Sequence, residues 1–391
     1  MRTNEDEFPS ATENEELKAA IRERIAAEDR IPFREFMAMA LYHPQHGYYS
    51  SPRQRMGRHG DYLTSPEVHP IFGSLVAKQL AQMWQAMGEP RPFTIVEMGA
   101  GSGLLARDIL AWASGRAPDF FQALEYCLIE VNDWLVENQR RLLHQVDASL
   151  AKVSWLPSLE AIAAESASGC FVSNELIDSF PVHRVAVRDG RLHELYVGWQ
   201  EERFVESLGP PFTPLLGDYF EHLGLLPGEG CSAEVNLEAL EWMKAVASAL
   251  RNGFILTFDY GYPAEELYAP WRKDGTLLCF YRHNPSTDPY ARLGRQDMTS
   301  HVDFTSLVQA GREHGLEPLG LTSQSRFLAA LGIAAGLERQ AAGELSLEEY
   351  YARRRAVTEL IDPASLGRIK VLIQAKGVGQ PKLWGLEEGE P

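Results

Sequence analysis

Apolar positions recur along this chain at two spacings, and the two alternate. Short apolar runs at Thr94–Met98, Tyr126–Val131, Lys152–Leu156, Cys170–Asn174 and Phe254–Tyr260 read as buried strands. The stretches between them repeat apolar residues at three and four positions, the spacing of a helix with one buried face. Strand and helix in turn predict an α/β fold, a doubly wound, mostly parallel sheet. Leu316–Leu321 and Ile369–Ala375 supply two more strands, the second as an antiparallel finish.

Two departures from simple alternation divide the chain further. Before the first strand, Leu17–Ala27 and Pro32–Tyr42 read as helices, the second opened by a proline in its first turn. A turn-rich loop, His43–Pro66, then leads to a long helix from His69 to about Met87, so that residues 17–92 form a helical N-terminal extension with a lid loop. The gap between the fourth and fifth strands is too long for one crossover helix. Within it Val182–Val187 and Leu192–Trp199 flank Arg188-Asp189-Gly190-Arg191, a strong hairpin signal. Residues 183–235 are therefore read as an inserted β-hairpin subdomain on the substrate side. The helix Asn236–Leu250 returns the chain to the sheet, leaving 93–182 and 236–391 as the α/β domain.

Composition narrows the setting. A chain of 391 residues with 45% hydrophobic and 23% charged residues can bury a sizeable core. No apolar run approaches the roughly 20 residues of a membrane span. Residues 1–16 are acidic and polar, expected as a disordered tail and unlike a signal or arginine-rich transit peptide, which suggests a bacterial-type cytoplasmic protein. Cys127, Cys170, Cys231 and Cys279 have no paired spacing and read as reduced core residues. A net charge of −17 argues against nucleic-acid binding and suits a basic partner better. His43, His46, His59 and His69 crowd the N-terminal loop, but lacking a helical HExxH pattern or cysteine partners they read as turn and cap residues, with no metal site expected.

The chemistry starts where the first strand ends. Glu97 closes it, and Gly99, Ala100, Gly101 and Gly103 form a turn into the helix beginning at Leu104. Such glycines let the backbone bend sharply and approach a ligand, with the helix N-terminus behind them. A dinucleotide site would place a third glycine where Leu104 stands. With a carboxylate before the turn, the loop instead resembles the first motif of S-adenosylmethionine-dependent methyltransferases. A tight turn without a ligand is the alternative. Glu130, ending the second strand, is the candidate for the two ribose hydroxyls. It lies further from the glycines than the roughly 20 residues usual in dinucleotide folds, and a Ser114–Pro118 loop would account for the extra length.

The fourth strand runs into Ser173-Asn174-Glu175-Leu176-Ile177-Asp178-Ser179-Phe180-Pro181. Carboxylates three residues apart can converge on one group if the loop is compact, and a guanidinium suits such a pair because its planar fork takes bidentate hydrogen bonds. Solvent-facing acids at a helix N-cap are the alternative. Asp259 could line the same cleft or cap the turn that follows. Asp61-Tyr62-Leu63-Thr64-Ser65-Pro66 is either a structural turn or a lid that brings Tyr62 and Thr64 to the cofactor.

Taken together, several motifs resemble the MidA family of S-adenosylmethionine-dependent methyltransferases. They are Leu41-Tyr42-His43-Pro44 with Gly47-Tyr48-Tyr49, Gly60–Glu67, Glu97–Gly103, Asn174-Glu175 with Asp178 and Pro181, Asp259-Tyr260-Gly261, and Gln296–Thr299 with His301–Phe304. The resemblance implies a class I methyltransferase (Rossmann-like) fold with S-adenosylmethionine held at Glu97, Gly99, Ala100, Gly101, Gly103, Glu130, Asn174, Tyr62 and Thr64. Through mitochondrial members that assist assembly of respiratory complex I, it also implies arginine methylation of a complex I-type NADH dehydrogenase subunit. Ser173–Phe180 resembles in addition the double-acid loop of protein arginine methyltransferases, with Glu175 matching its first glutamate. Asp178, shorter and closer, departs from the second and leaves that clamp residue open. Glu175 and Asp178 are the expected catalytic pair. A small-molecule methyltransferase and a non-enzymatic assembly factor that keeps the fold are the competing readings, and the apolar C-terminal helices could serve a homodimer or the core.

Overall fold

A computed structural model describes residues 14–51, 55–57, 60–144, 146, 150–335 and 346–387; the acidic tail expected over residues 1–16 lies almost wholly outside them. Its centre is a seven-stranded sheet, here β1 (Phe93–Met98), β2 (Leu124–Ile129), β3 (Val153–Leu156), β4 (Ala167–Asn174), β5 (Leu250–Asp259), β6 (Glu317–Ser323) and β7 (Lys370–Lys376). The spatial order is β3-β2-β1-β4-β5-β7-β6, with β7 antiparallel to both neighbours and the other pairings parallel. This is the doubly wound sheet that the alternating pattern predicts, including the antiparallel finish.

The inner strands are apolar on both faces because both are covered, whereas the edge strands β3 and β6 are only partly buried. Ile95, Tyr126, Cys170, Phe254 and Ile373 face one core, packed by the helices Ile71–Ala86 and Leu104–Arg116 and by the C-terminal helices. Their neighbours Val96, Cys127, Phe171, Ile255 and Leu372 face the other, under Leu237–Ala249 and Phe304–Glu313. The period of two along each strand makes that division. All four cysteines are buried and free.

Three elements differ from expectation. The Ser114–Pro118 segment is not a loop: helix continues through Arg116 and resumes over Pro118–Ala123, where Pro118 fits the first turn. The long helix begins at Ile71 rather than His69, after a separate turn over Ser65–Val68. A small three-stranded sheet, Leu278–Tyr281, Asn284–Ser286 and Asp297–Thr299, goes unannounced by the apolar pattern because its strands are only three or four residues long.

The hairpin forms as expected, His183–Arg188 against Arg191–Gln200, and is extended by Arg203–Gly209, Ser232–Val235 and the N-terminal pair Ile31–Pro32. Leu17, Ile21, Phe36 and Met37 of the N-terminal helices share one core with Val182, Leu195, Val197 and Met298. Extension and insertion are thus joined by burial across segments distant in sequence, and together they stand over the carboxyl ends of the strands.

Candidate active site

The chain order reverses between β1 and β4, the switch point at which open α/β sheets bind ligands. Gly99, Gly101 and Gly103 follow β1 with φ of 72°, 54° and 80°. L-residues are strained in this left-handed region, which is why glycine recurs here. Gly99 is exposed and Gly101 half-buried, while Ala100 packs on the core beneath. Two side chains rest on the loop: a Cβ on Gly99 would meet Leu176, and one on Gly101 would meet the thioether of Met56.

The acids at the two strand ends differ. Glu97 is buried and accepts a 2.6 Å hydrogen bond from the Tyr126 hydroxyl, and burial pushes its carboxyl up to about 7. Glu130, half-buried, accepts from the Asn132 amide at 3.0 Å and from Gln139 Nε2 at 3.3 Å. The same Gln139 nitrogen donates to the Gly101 carbonyl at 2.9 Å, and its oxygen accepts from Trp155 Nε1 at 2.9 Å. Gln139 is fully buried and ties the glycine loop to the acid of the next strand. It escaped notice in the sequence because one glutamine on a helix carries no motif.

The N-terminal loop covers this end. Met56 bridges to Tyr62, which is half-buried and whose pKa is raised by desolvation and then by Asp297, Asp178 and Glu175 nearby. Thr64 is buried and leads into Ser65, whose amide donates to Glu175 Oε1 at 3.1 Å. Asp61 accepts from the Tyr48 hydroxyl at 2.8 Å and from the Arg282 amide at 2.9 Å, fixing the loop to the small sheet. The histidines serve turns: His43 Nδ1 accepts from the Gln45 and His46 amides, and His69 Nδ1 accepts from Ile71. His59 lies outside the described residues.

The acid loop after β4 is not a solvent-facing N-cap. Ile177–Ser179 is a short 3-10 turn, and Asp178 is buried within it. Its anchor is Asp259, wholly buried at the end of β5, whose Oδ2 accepts from the amides of Leu176, Ile177 and Asp178 at 3.2, 2.8 and 3.4 Å. Asp259 therefore caps this turn, and Asn236 holds it from the other side by donating to the Ile177 carbonyl at 3.0 Å. Glu175, at φ 50°, is held by Ser65 and by Asn174 Nδ2 at 3.1 Å. Asp297, from the small sheet, accepts from the Tyr49 hydroxyl at 2.6 Å.

Four carboxyl groups thus meet in one tyrosine-lined space: Asp178, Asp259 and Asp297, which are buried, and Glu175, which is half-buried beside them. Burial pushes Glu175 up to about 8, Asp259 to about 7 and Asp297 to about 6. Asp178 is driven well above the carboxylate range by burial and then by Asp259, Glu175 and Asp297 around it. Among the described residues none of the four is in an ion pair. Like charges in low dielectric are costly, so the arrangement is one that a bound cation relieves. Beside them, the buried Asn174 Oδ1 has no hydrogen-bond partner among the described residues, an acceptor left for a ligand donor. That orphaned acceptor, the partly open glycine turn and the half-buried Glu130 fit an amino-acid nucleoside lying along the strand ends.

Comparison with known proteins agrees. Residues 75–322 match the family described as putative S-adenosyl-L-methionine-dependent methyltransferase. A Drosophila melanogaster protein named protein arginine methyltransferase NDUFAF7 homolog, mitochondrial, is 31% identical over 93% of this chain and 85% of its own length. The Rattus norvegicus protein arginine methyltransferase NDUFAF7, mitochondrial, is 27% identical over 88% of this chain and 80% of its own. A solved structure from Burkholderia thailandensis, described as a candidate methyl transferase bound to S-adenosyl-homocysteine, superposes with a TM-score of 0.87 at 31% identity, covering 99% of this chain and 98% of the other.

Proposed function

The chain belongs to the family of S-adenosylmethionine-dependent methyltransferases, and from that premise we propose that its methyl acceptor is an arginine side chain of a partner protein. The observation that carries this reading is the cluster of half-buried Glu175 with buried Asp178, Asp259 and Asp297, without an ion pair among the described residues. A guanidinium is planar, cationic at any pH and rich in donors, so it satisfies such a cluster where a neutral acceptor would leave it strained.

S-adenosylmethionine supplies an electrophilic methyl group on its sulfonium. Glu130, oriented by Gln139 and Asn132, would hold the ribose hydroxyls, the glycine turn would take the amino-acid portion, and Asn174 Oδ1 would accept from a ligand N–H. Glu175 is the residue that we assign to the acceptor: it stands at the mouth of the acid cluster, and its two hydrogen bonds fix one carboxylate oxygen and leave the other available. Charge-assisted hydrogen bonds from the guanidinium, worth about 1.5–3 kcal/mol each, orient the nucleophilic nitrogen. A carboxyl with its pKa near 8 is also matched to receiving the proton that the nitrogen loses. Asp178 adds negative charge beside it, and Asp259 acts as a positioning residue through the loop amides.

The names of the relatives support a protein substrate, and the family resemblance supports a respiratory NADH dehydrogenase subunit as the partner. Mass spectrometry of arginine methylation in cells with and without this gene, read across those subunits, tests both. Loss of one methylarginine with the gene is expected; an unchanged methylarginine map would remove the arginine assignment.

A further inference from the structure

One residue beyond Asp259, where Tyr260 lies within reach of both the acid cluster and Arg368, a cavity of about 140 Å³ opens between the carboxyl end of β5 and the start of β7. We propose that this cavity, lined by Tyr260, Tyr262, His301, Ser323, Arg368 and Lys370, is an anion subsite that holds an acidic side chain of the protein substrate, two or three residues from the target arginine. The inference rests on the arginine reading above and adds a sequence preference to it.

The cavity's charge is the first ground. In a chain of net charge −17, no carboxylate lines it among the described residues. The Arg368 guanidinium lies 5.4 Å from the Tyr260 ring centre, Lys370 Nζ lies 5.8 Å from that of Tyr262, and the Arg272 guanidinium lies 4.8 Å from that same ring. None of these three cations is in an ion pair among the described residues, whereas many other cations of the chain are matched with Asp or Glu. Positive charge gathered without a counter-ion beside a cavity is an arrangement that an anion stabilises.

Unused donors are the second. His301 Nδ1, of the lining, is buried and without a hydrogen-bond partner among the described residues, as is Nε of Arg272, which lies outside the lining against Tyr262. Burial and the neighbouring Arg368 and Arg272 lower the His301 pKa to about 4, so near neutral pH the ring is uncharged and can offer one N–H. The Ser323 and Ser325 hydroxyls, 2.9 Å apart, add further donors at the rim.

Placement is the third. Tyr260 follows Asp259 directly, and its pKa is raised first by burial and then by Glu175 and Asp178, with Arg368 opposing them. Ser300, next to His301, donates its amide to the Asp178 carbonyl at 2.9 Å. The stacked Tyr260 and His301 rings thus stand next to both a place for a cation and a place for an anion. Side chains two or three residues apart on an extended peptide are about 7–10 Å apart, a span suited to reaching both places.

The test uses the full chain with S-adenosylmethionine and a set of arginine peptides carrying Glu, Ala or Lys at the second and third positions on either side. Glutamate-flanked peptides should exceed alanine-flanked ones about tenfold in kcat/KM, mainly through KM. The ratio should fall to near one in R368Q/K370Q and invert toward lysine-flanked peptides in R368E/K370E. In parallel, inorganic phosphate is titrated by calorimetry into the wild type and R368Q/K370Q, and binding is expected in the first alone. Equal peptide ratios in all three proteins overturn the proposal. Phosphate binding lost with the two cations while peptide ratios stay flat also overturns it, because the cavity then takes a free anion. Should no arginine peptide be methylated while phosphate binding still depends on the cations, the arginine reading fails and the substrate assignment falls with it, whereas a cavity that binds no phosphate and yields no preference fails on its own account.

Discussion

At the glycine-loop end of the sheet the polar groups satisfy one another: Glu97 with Tyr126, Gln139 with Gly101 and Trp155, Glu130 with Asn132. At the acid-loop end, Glu175, Asp178, Asp259 and Asp297 crowd together with their carboxyls raised and no cation paired to them among the described residues. One end is a finished cradle, stable in its own right, while the other stores electrostatic tension. That difference assigns their tasks, because a cradle must bind its ligand in both halves of the cycle whereas an acceptor site benefits from interactions that strengthen as the cation engages.

Substitutions at the two ends should therefore fail differently. The largest expected effect is Glu175→Gln, which keeps an oxygen for Ser65 and Asn174 but removes the negative charge. Methyl transfer should drop about a hundredfold or more while the calorimetric heat of S-adenosylmethionine binding stays close to wild type; wild-type turnover would end the clamp assignment. Asp259→Asn comes next. One of its ends turns an N–H₂ toward amides now satisfied by a carboxylate, so the fold should lose about 2–4 kcal/mol in urea unfolding, with turnover falling as the Leu176–Asp178 turn loosens. Unaltered stability would show that the turn needs no such anchor.

pH sharpens the same contrast. Glu175, Asp259 and Asp297 bind protons in the folded chain up to about 8, 7 and 6, above the ordinary carboxylate range of roughly 4, so the folded state holds protons that the unfolded state has released. Stability is greatest below that range and is lost as pH rises through these values, so thermal melting should move down from pH 5 to pH 8. Arginine-peptide affinity should move the other way, rising with pH to about 8 as Glu175 ionises. A melting temperature that increases over this interval would contradict the raised carboxyls. The smallest effect concerns the cradle: Gly103→Ala and Gly190→Ala impose a similar left-handed strain, about 1–2 kcal/mol, but only at Gly103 would the new methyl meet a neighbour, Gln139 Cγ at 3.0 Å. Gly103→Ala should therefore also weaken cofactor binding, and equal behaviour of the two variants would show that Gln139 yields freely.

The same two ends explain what could be read in advance. The cradle is written in neighbouring residues, Glu97 to Gly103 and then Glu130, so strand pattern and glycine spacing expose it. The acid loop announced Glu175 and Asp178 but left Asp259 between lining the cleft and capping the turn after it; in the structure it sits in the acid cluster while capping a different turn, Leu176–Asp178, from a loop distant in sequence. Asp297 and Tyr49 lay unnoticed as site residues, 248 positions apart and joined by one 2.6 Å hydrogen bond. Gln139 and the cations around Tyr262 were invisible for the same reason.

Apolar spacing and glycine placement determined the sheet, its winding and the position of the cofactor turn, because these depend on local periodicity and on backbone conformations that few residues tolerate. Which carboxylates share one space, and which cations stand around Tyr260 near them, was decided only when insertion, extension and sheet packed together. Desolvation and pairing act through distance in space, and distance in sequence carries no record of them.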